Sequence, residues 1–351
     1  MIFFVGFAIT FGSYLKLEKA RPLYWKIFAV CFVTLSILFS LLPPLAGNFS
    51  DARFVSVIKN HNIIDMSLVI ESNSLVLNDS NNTYTAKAFY PHHIFEKEKS
   101  INKELINFDK NLKSKLVYDK EIVAKGYYIA ESNTYKIIEL LEVEPTFIYP
   151  YVPDLMQRIR NLNFHVPMAW VSIIAFSVSL ICAIQYLRKR DELYDIKSQS
   201  AAFLGLIFAI MATTTGMIWA KFNWGSFWNN DPRQVTILAQ IIIYFAYFAL
   251  RSSTEDETKR AKLSAVYSIF AYVSVPFLML IIPRLFASLH PGGKDDGTTG
   301  PAMDPQSGML DSALALSFYI AIAAFIIIFF WLLSLNVRYR ILNRKLENIN
   351  V

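Results

Sequence analysis

Six uninterrupted apolar runs, each close to the roughly 20 residues that a bilayer demands of a helix, dominate this chain. They fall at 27–45, 166–187, 201–220, 234–250, 264–282 and 312–335. Lipid offers the backbone no hydrogen-bond partners, so runs of this length have one ready outcome, the membrane-spanning helix. The chain is therefore read as an all-α polytopic membrane protein with six core transmembrane helices. Hydrophobic residues are 54% of the 351 positions, a share that a soluble protein can also reach, so their clustering decides the class. Met1 to Leu15 is apolar but short for a span, and it lacks the basic start and small-residue cleavage site of a secretory signal. It is read as a possible extra N-terminal hydrophobic helix, interfacial or short, with a seventh span as the alternative.

Lys and Arg near span ends set orientation. They gather at Lys16, Lys19, Arg21 and Lys26, at Arg188, Lys189 and Arg190, at Arg251, Lys259, Arg260 and Lys262, and at Arg338, Arg340, Arg344 and Lys345. These four clusters alternate with the six spans so that all can face the cytoplasm. The net charge of +6 is then a topology signal, and no nucleic-acid face is expected. Segments 46–165, 221–233 and 283–311 face outward. The organisation expected is an N-terminal membrane part over 1–45, an insert over 46–160, a membrane domain over 161–335 and a cytoplasmic basic tail over 336–351. Cys31 and Cys182 lie inside spans and are read as small apolar residues, with no disulfide or thiol chemistry.

The insert reads as a small β-rich extracytoplasmic domain, a barrel or sandwich. Branched and aromatic residues mark strands at Val55–Ile58, Ser67–Ile70, Thr83–Phe89, Glu121–Ile129 and Tyr135–Val143. The charged stretch from Phe95 to Lys115 reads as a helix or a solvated loop.

The chain has five histidines. His61, His92 and His93 fall in the insert and read as exposed loop residues. His165 immediately precedes the second span, and His290 follows the fifth after a short apolar extension, so the topology puts both at the outer face. Neutral imidazole is a common metal ligand that suits iron, and haem iron takes axial side-chain ligands. Two readings stand: a shared metal ligand pair, or two residues that border helix ends independently.

Between the third and fourth spans runs a loop holding Trp219, Trp224, Gly225, Phe227, Trp228, Asn230, Asp231, Pro232 and Arg233. Interfacial tryptophans are ordinarily headgroup anchors, but a Gly-interrupted cluster within one loop also offers flat walls to a flat ligand. Asp231-Pro232-Arg233-Gln234 fits a helix N-cap, a proline at the first helical position and a capping-box Gln. The polar stretch Gly292 to Ser307 carries Asp295, Asp296 and Asp304 without the ordered spacing of a calcium loop, and is read as a flexible loop.

These residues resemble the tryptophan-rich WWD motif of haem-handling proteins, close to Trp-Gly-x-x-Trp-x-Trp-Asp-x-Arg. Trp224, Gly225, Trp228, Asp231 and Arg233 match; Asn230 stands where the family usually has another Trp. Arg160 to Pro167, containing His165-Val166-Pro167, resembles that family's approach to its second span. Leu289-His290-Pro291-Gly292 resembles its Leu-His-x-Gly, and Pro301-Ala302-Met303 has a counterpart downstream. The resemblance is to the CcmC family of cytochrome c maturation, within the wider WWD group that includes the CcsA and CcmF synthase relatives, and it covers about 160–335. It leaves the insert unexplained, although Glu121 to Glu144 faintly resembles the closing strands of the OB-fold haem chaperone CcmE, without the His that attaches haem there.

The resemblance implies a protein of the bacterial cytoplasmic (inner) membrane that binds haem, non-covalently and transiently as b-type haem, and delivers it to a periplasmic chaperone of CcmE type. His165 and His290 are then the axial ligands of the haem iron, and Trp224, Gly225, Phe227, Trp228, Asp231 and Arg233 build the platform. Arg160 and Arg284 are candidate partners of the propionates, because Arg pairs well with carboxylates; a span-end anchor is the other reading of Arg284. Expected partners are other Ccm membrane subunits, an ABC transporter among them, and lipid. No bond need change in such binding and hand-over. The alternative is a CcsA-type haem lyase, or cytochrome c synthase component, which calls for more outer-face histidines. A b-type electron carrier wants histidine pairs deep in helices, and a generic solute transporter leaves the Trp cluster unexplained.

Overall fold

A computed structural model describes residues 1–59, 63–78, 81–91, 103–150, 155–290 and 312–347. His61, His92, His93 and the 291–311 segment, with Pro301-Ala302-Met303 and the three Asp of its polar loop, lie outside the described residues. The chain divides into two compact units, one from 1–40, 160–310 and 316–351, the other chiefly 41–159.

The first unit is helical, and among the described residues six helices are long and apolar enough to cross a membrane. Helix α1 (Ile2–Ser13) is a short apolar helix, and α2 (Leu23–Leu41) begins the long ones; α3 (Phe49–Lys59) belongs to the other unit. Then follow α4 (Leu162–Lys189), α5 (Glu192–Trp224), α6 (Pro232–Ser252) and α7 (Glu257–Pro276). Helix α7 runs through a π-helical turn, Phe277–Ile281, into the single turn α8 (Ile282–Leu285), and α9 (Ser312–Glu347) closes the chain. Capping fixes the ends: Asp191 accepts from the Leu193 amide at the start of α5, and Gly225, at φ +83°, stops it. The helices overrun the apolar runs. Helix α9 passes its basic residues to Glu347, with Arg340 donating to Asn336 Oδ1 one turn back and Arg344 paired with Glu192 at the head of α5.

Helix α1 packs as an antiparallel partner of α2, with Phe11 stacked on Trp25 at 5.1 Å and Phe7 edge-on to Phe28. Small and polar residues bring the other helices close, as expected where lipid competes for every apolar face. Ser179 of α4 meets Ser198 of α5 and Ser268 of α7, each at 3.1 Å. The Phe176 ring lies on Tyr244 with centroids 3.7 Å apart and flat against α5 at Gly205, where a Cβ would come 2.5 Å from it. At the other end of this seam Arg251 of α6 forks onto Asp195 of α5 at 2.7 and 2.9 Å, both side chains being about 5% exposed or less.

The second unit is a small β-barrel. Two short strands, β1 (Leu45–Ala46) and β8 (Tyr149–Pro150), pair in parallel where the chain enters and leaves it. Between them come β2 (Ile64–Ile70), β3 (Val76–Asn78), β4 (Thr83–Phe89), β5 (Lys103–Asp109), β6 (Glu121–Ile129) and β7 (Thr134–Val143). The order β2-β6-β7-β5-β4 returns to β2, and every contact of this ring is antiparallel except β5 with β7. That is the five-stranded OB-fold arrangement, with β3 added on β4. Met66, Leu68, Ile70, Ile106, Phe108, Ile122 and Tyr135 fill the inside.

Two expectations for this unit are corrected. Val55–Ile58 is helix, not strand, because Asn48 and Asp51 cap α3 reciprocally: each side chain accepts the other's amide, at 3.0 and 2.9 Å. Within the charged stretch, Lys103–Asp109 is strand β5, whose Ile106 and Phe108 alternate into the core beneath charged ends.

Candidate functional site

His165 lies inside α4, not before it. A 3-10 turn over Met156–Asn161 starts the helix early, and buried Asn163 ties that first turn to Ser317 Oγ of α9 at 3.1 Å. From there the imidazole reaches α5: Nδ1 is 2.9 Å from the Ala212 carbonyl oxygen and 3.1 Å from Thr215 Oγ1. A carbonyl only accepts, so Nδ1 carries the hydrogen and the lone pair stays on Nε2. Gly216 makes the approach possible. A Cβ there would stand 2.7 Å from His165 Cε1, closer than any side chain tolerates.

The loop after α5 builds the second half. Lys221 Nζ bonds the Gly225 carbonyl at 3.0 Å and lies over the half-exposed Phe227 ring. Asn230 adopts the left-handed conformation at φ +52°, which Asn enters more readily than Trp does, and its Oδ1 holds the Trp228 indole N–H at 2.7 Å. Where the motif that this loop resembles has a further ring, this chain has a residue that fixes Trp228. Gln234 does not close a capping box onto Asp231. It reaches farther back, accepting from the Asn229 amide at 2.8 Å and donating to the Phe227 carbonyl at 3.1 Å, which laces the loop to α6.

Asp231 is the hinge of the arrangement. Its Oδ1 accepts from the Arg233 amide at 2.9 Å, which makes it the N-cap of α6 as expected, with Pro232 at the first helical position. The same oxygen takes His290 Nδ1 at 3.1 Å, while Oδ2 accepts Ser288 Oγ and the Leu289 amide, each at 2.8 Å. Burial alone would raise the Asp231 carboxyl, but the hydrogen bonds from His290, Ser288 and the Arg233 amide outweigh it. They hold the group below the ordinary carboxylate range. The His290 ring stands edge-on to Trp224, centroids 4.7 Å apart and planes at 73°. With Nδ1 given to Asp231, its Nε2 has no hydrogen-bond partner among the described residues.

The structure brings His290, Asp231 and Trp224 together, and both imidazoles pack on α5, His165 at Ala212, Thr215 and Gly216 and His290 at Trp224. Arg160 Nη1 donates to the Ser40 carbonyl at the end of α2, at 3.2 Å. Arg284, on α8, is exposed and has no polar partner among the described residues. Sequence reasoning missed Ala212, Thr215, Gly216 and Ser288. The one signal was the Thr213-Thr214-Thr215-Gly216 run inside an apolar helix, since a glycine there costs stability and asks for a packing reason.

A family model described as "Heme exporter protein C" (CcmC) matches residues 149–351, more than half of the chain and all of α4 to α9. The "Heme exporter protein C" of Bradyrhizobium diazoefficiens is 25% identical over 202 residues, 57% of this chain and 74% of that protein. Its counterpart in Rhodobacter capsulatus is 26% identical over 204 residues, 57% of this chain and 80% of that protein. A "Putative cytochrome c biosynthesis ccmC-like mitochondrial protein" of Marchantia polymorpha is 25% identical over 122 residues, 35% of this chain and 51% of that protein. The family match leaves the barrel almost entirely outside it.

Proposed function

The chain belongs to the CcmC family of haem exporter proteins, and on that premise we propose that it holds haem between His165 and His290 at the outer face of the inner membrane and passes it to a periplasmic chaperone. A multi-pass membrane protein of haem handling in cytochrome c maturation is what the family supports.

One observation carries the reading. Two imidazoles, one within α4 and one in the bend after α8, both pack on α5, and each has Nδ1 committed to a protein acceptor. That leaves two Nε2 lone pairs for one metal. Among the described residues no group of three or more His, Cys, Asp or Glu converges. Two ligands suit a metal that arrives with in-plane ligands of its own, as haem iron does. Trp224, Phe227 and Trp228 supply ring contacts, and Arg233, in the first turn of α6 beside Asp231, adds to the expected Arg160 and Arg284 as a candidate for a propionate.

In this reading the cargo is bound as non-covalent b-type haem, and the protein orients and releases it without changing a bond. The chaperone of CcmE type, the companion Ccm subunits and the ABC transporter belong to the same proposal. The positive-inside pattern supports the outward placement of the Trp loop, both histidines and the barrel, and a cytoplasmic C-terminus.

The visible spectrum of the protein purified in detergent, wild type beside His165→Ala and His290→Ala, tests the reading. A two-His low-spin spectrum that each substitution removes or converts is expected. A wild type that stays colourless after haem is supplied, or two variants with unchanged spectra, would overturn it.

A further inference from the structure

The two imidazoles are not held alike. His290 Nδ1 gives its hydrogen to a buried carboxylate, Asp231, whereas His165 Nδ1 gives its hydrogen to a neutral carbonyl, Ala212, with the Thr215 hydroxyl beside it. A carboxylate acceptor pulls the proton toward itself and pushes electron density onto the far nitrogen; a peptide carbonyl does so much less. The charge on Asp231 is secured by its other contacts, because the Arg233 amide, Ser288 Oγ and the Leu289 amide bind the same carboxylate.

From this difference, and resting on the haem-binding reading above, we infer that His290 is the anchoring ligand and His165 the displaceable one. Asp231 acts through His290 as a positioning residue. Hand-over then begins on the His165 side: an incoming ligand of the acceptor replaces a neutral imidazole with an ordinary second shell, while the Asp231–His290 pair retains the iron until the exchange is made. The placement of the residues fits that order. His165 is locked on the α4–α5 seam by Ala212, Thr215 and Gly216, so it cannot follow a departing haem. His290 lies outside the helices, beyond α8, and carries its own proton acceptor at the head of α6.

The test is haem binding by the full-length protein in detergent, read by spectrum, affinity for ferric haem and midpoint potential. His165→Gly is expected to keep haem on His290 as a five-coordinate, high-spin species that added imidazole returns to low spin. His290→Gly is expected to bind far more weakly. Asp231→Asn keeps an N-cap of equal quality while it removes the charge and turns the oxygen that faces Ser288 and Leu289 into an amide donor; it is expected to lower ferric-haem affinity by roughly 10–100-fold, the range for lost second-shell partners. It should also move the potential positive, because less electron density reaches iron(III). Thr215→Val should cost less than Asp231→Asn. If wild type binds haem but His165→Gly loses it as fully as His290→Gly, or Asp231→Asn leaves affinity and potential unchanged, the inequality is wrong and the two-ligand reading stands. If wild type takes up no haem, the reading and this inference fall together.

Discussion

The Asp231 carboxylate lies 3.1 Å from His290 Nδ1 while it also caps α6 through the Arg233 amide. One side chain thus ties the position of a candidate ligand to the first turn of a membrane helix, and the ligand inherits the rigidity of that helix. The two duties separate by substitution. Asp231→Ala loses both cap and imidazole partner, and should unfold at lower temperature than Asp231→Asn by an amount matching about 1 kcal/mol of capping energy. Thermal unfolding of the two variants in the same detergent checks the order; equal midpoints would mean that the cap contributes nothing.

Gly216 has no tolerance for a side chain. In Gly216→Ala the new methyl would sit 2.7 Å from the His165 ring, so the imidazole must leave the Ala212 carbonyl. The expected outcome is an intact fold with an altered haem spectrum, visible as a shift from low-spin to mixed-spin bands. Gly225→Ala is strained by the left-handed backbone instead, with nothing within 4 Å, and should lower stability before it alters the spectrum.

Removing one member of the Asp195–Arg251 pair leaves the other buried and unpaired. Asp195→Asn should destabilise the protein by about 3–5 kcal/mol, measured as denaturant or thermal unfolding in detergent. A cost near zero would place the pair in contact with water.

Asp65 of β2 gives the barrel a pH signature. Burial raises its carboxyl, helped by Glu139 and opposed by Lys125. A raised folded value means that stability is fully present below the unfolded pKa, about 3.9, and is lost as pH rises through the folded value. Asp65→Asn mimics the protonated state, so it should stabilise the barrel at neutral pH. That advantage should vanish below about pH 4. Hydrogen exchange of β2 in the full-length protein would show it; an advantage that grows on acidification would reverse the assignment.

Orientation is open to a direct measurement. Alkaline phosphatase, active only outside the cytoplasm, is expected to be active when fused within 46–160 and inactive when fused after Glu347. The opposite pattern would turn the site to the inner face.

The spans were legible because apolar length is a property of composition along the chain, and the Asp231 cap because capping is local. Their ends were not: residues such as Arg340 and Arg344 stop an apolar count but not a helix that satisfies them with Asn336 and Glu192. The same blindness placed His165 ahead of α4, since the turn that extends the helix depends on Asn163 finding Ser317, far away in sequence. Val55 and Val57 look like strand by side-chain type, and only the reciprocal Asn48–Asp51 bonds decide for helix. In the site, residue types pointed to candidate ligands but not to their supports. Ala212 contributes a backbone carbonyl and Gly216 an absence of atoms, and neither has a side-chain signature.

The parallel contact of Leu45 with Tyr149 and Ala46 with Pro150 has an entropic consequence. An unclasped linker of about a hundred residues would cost some 3 kcal/mol more to close than one of about four, by the logarithmic dependence of closure on length. Because the strands at which the barrel starts and finishes lie side by side, the flanking segments meet the closure cost of a short hairpin. A whole barrel can therefore be carried in the connection between α2 and α4, and deleting it between Ala46 and Tyr149 should leave the helices a loop they can still close.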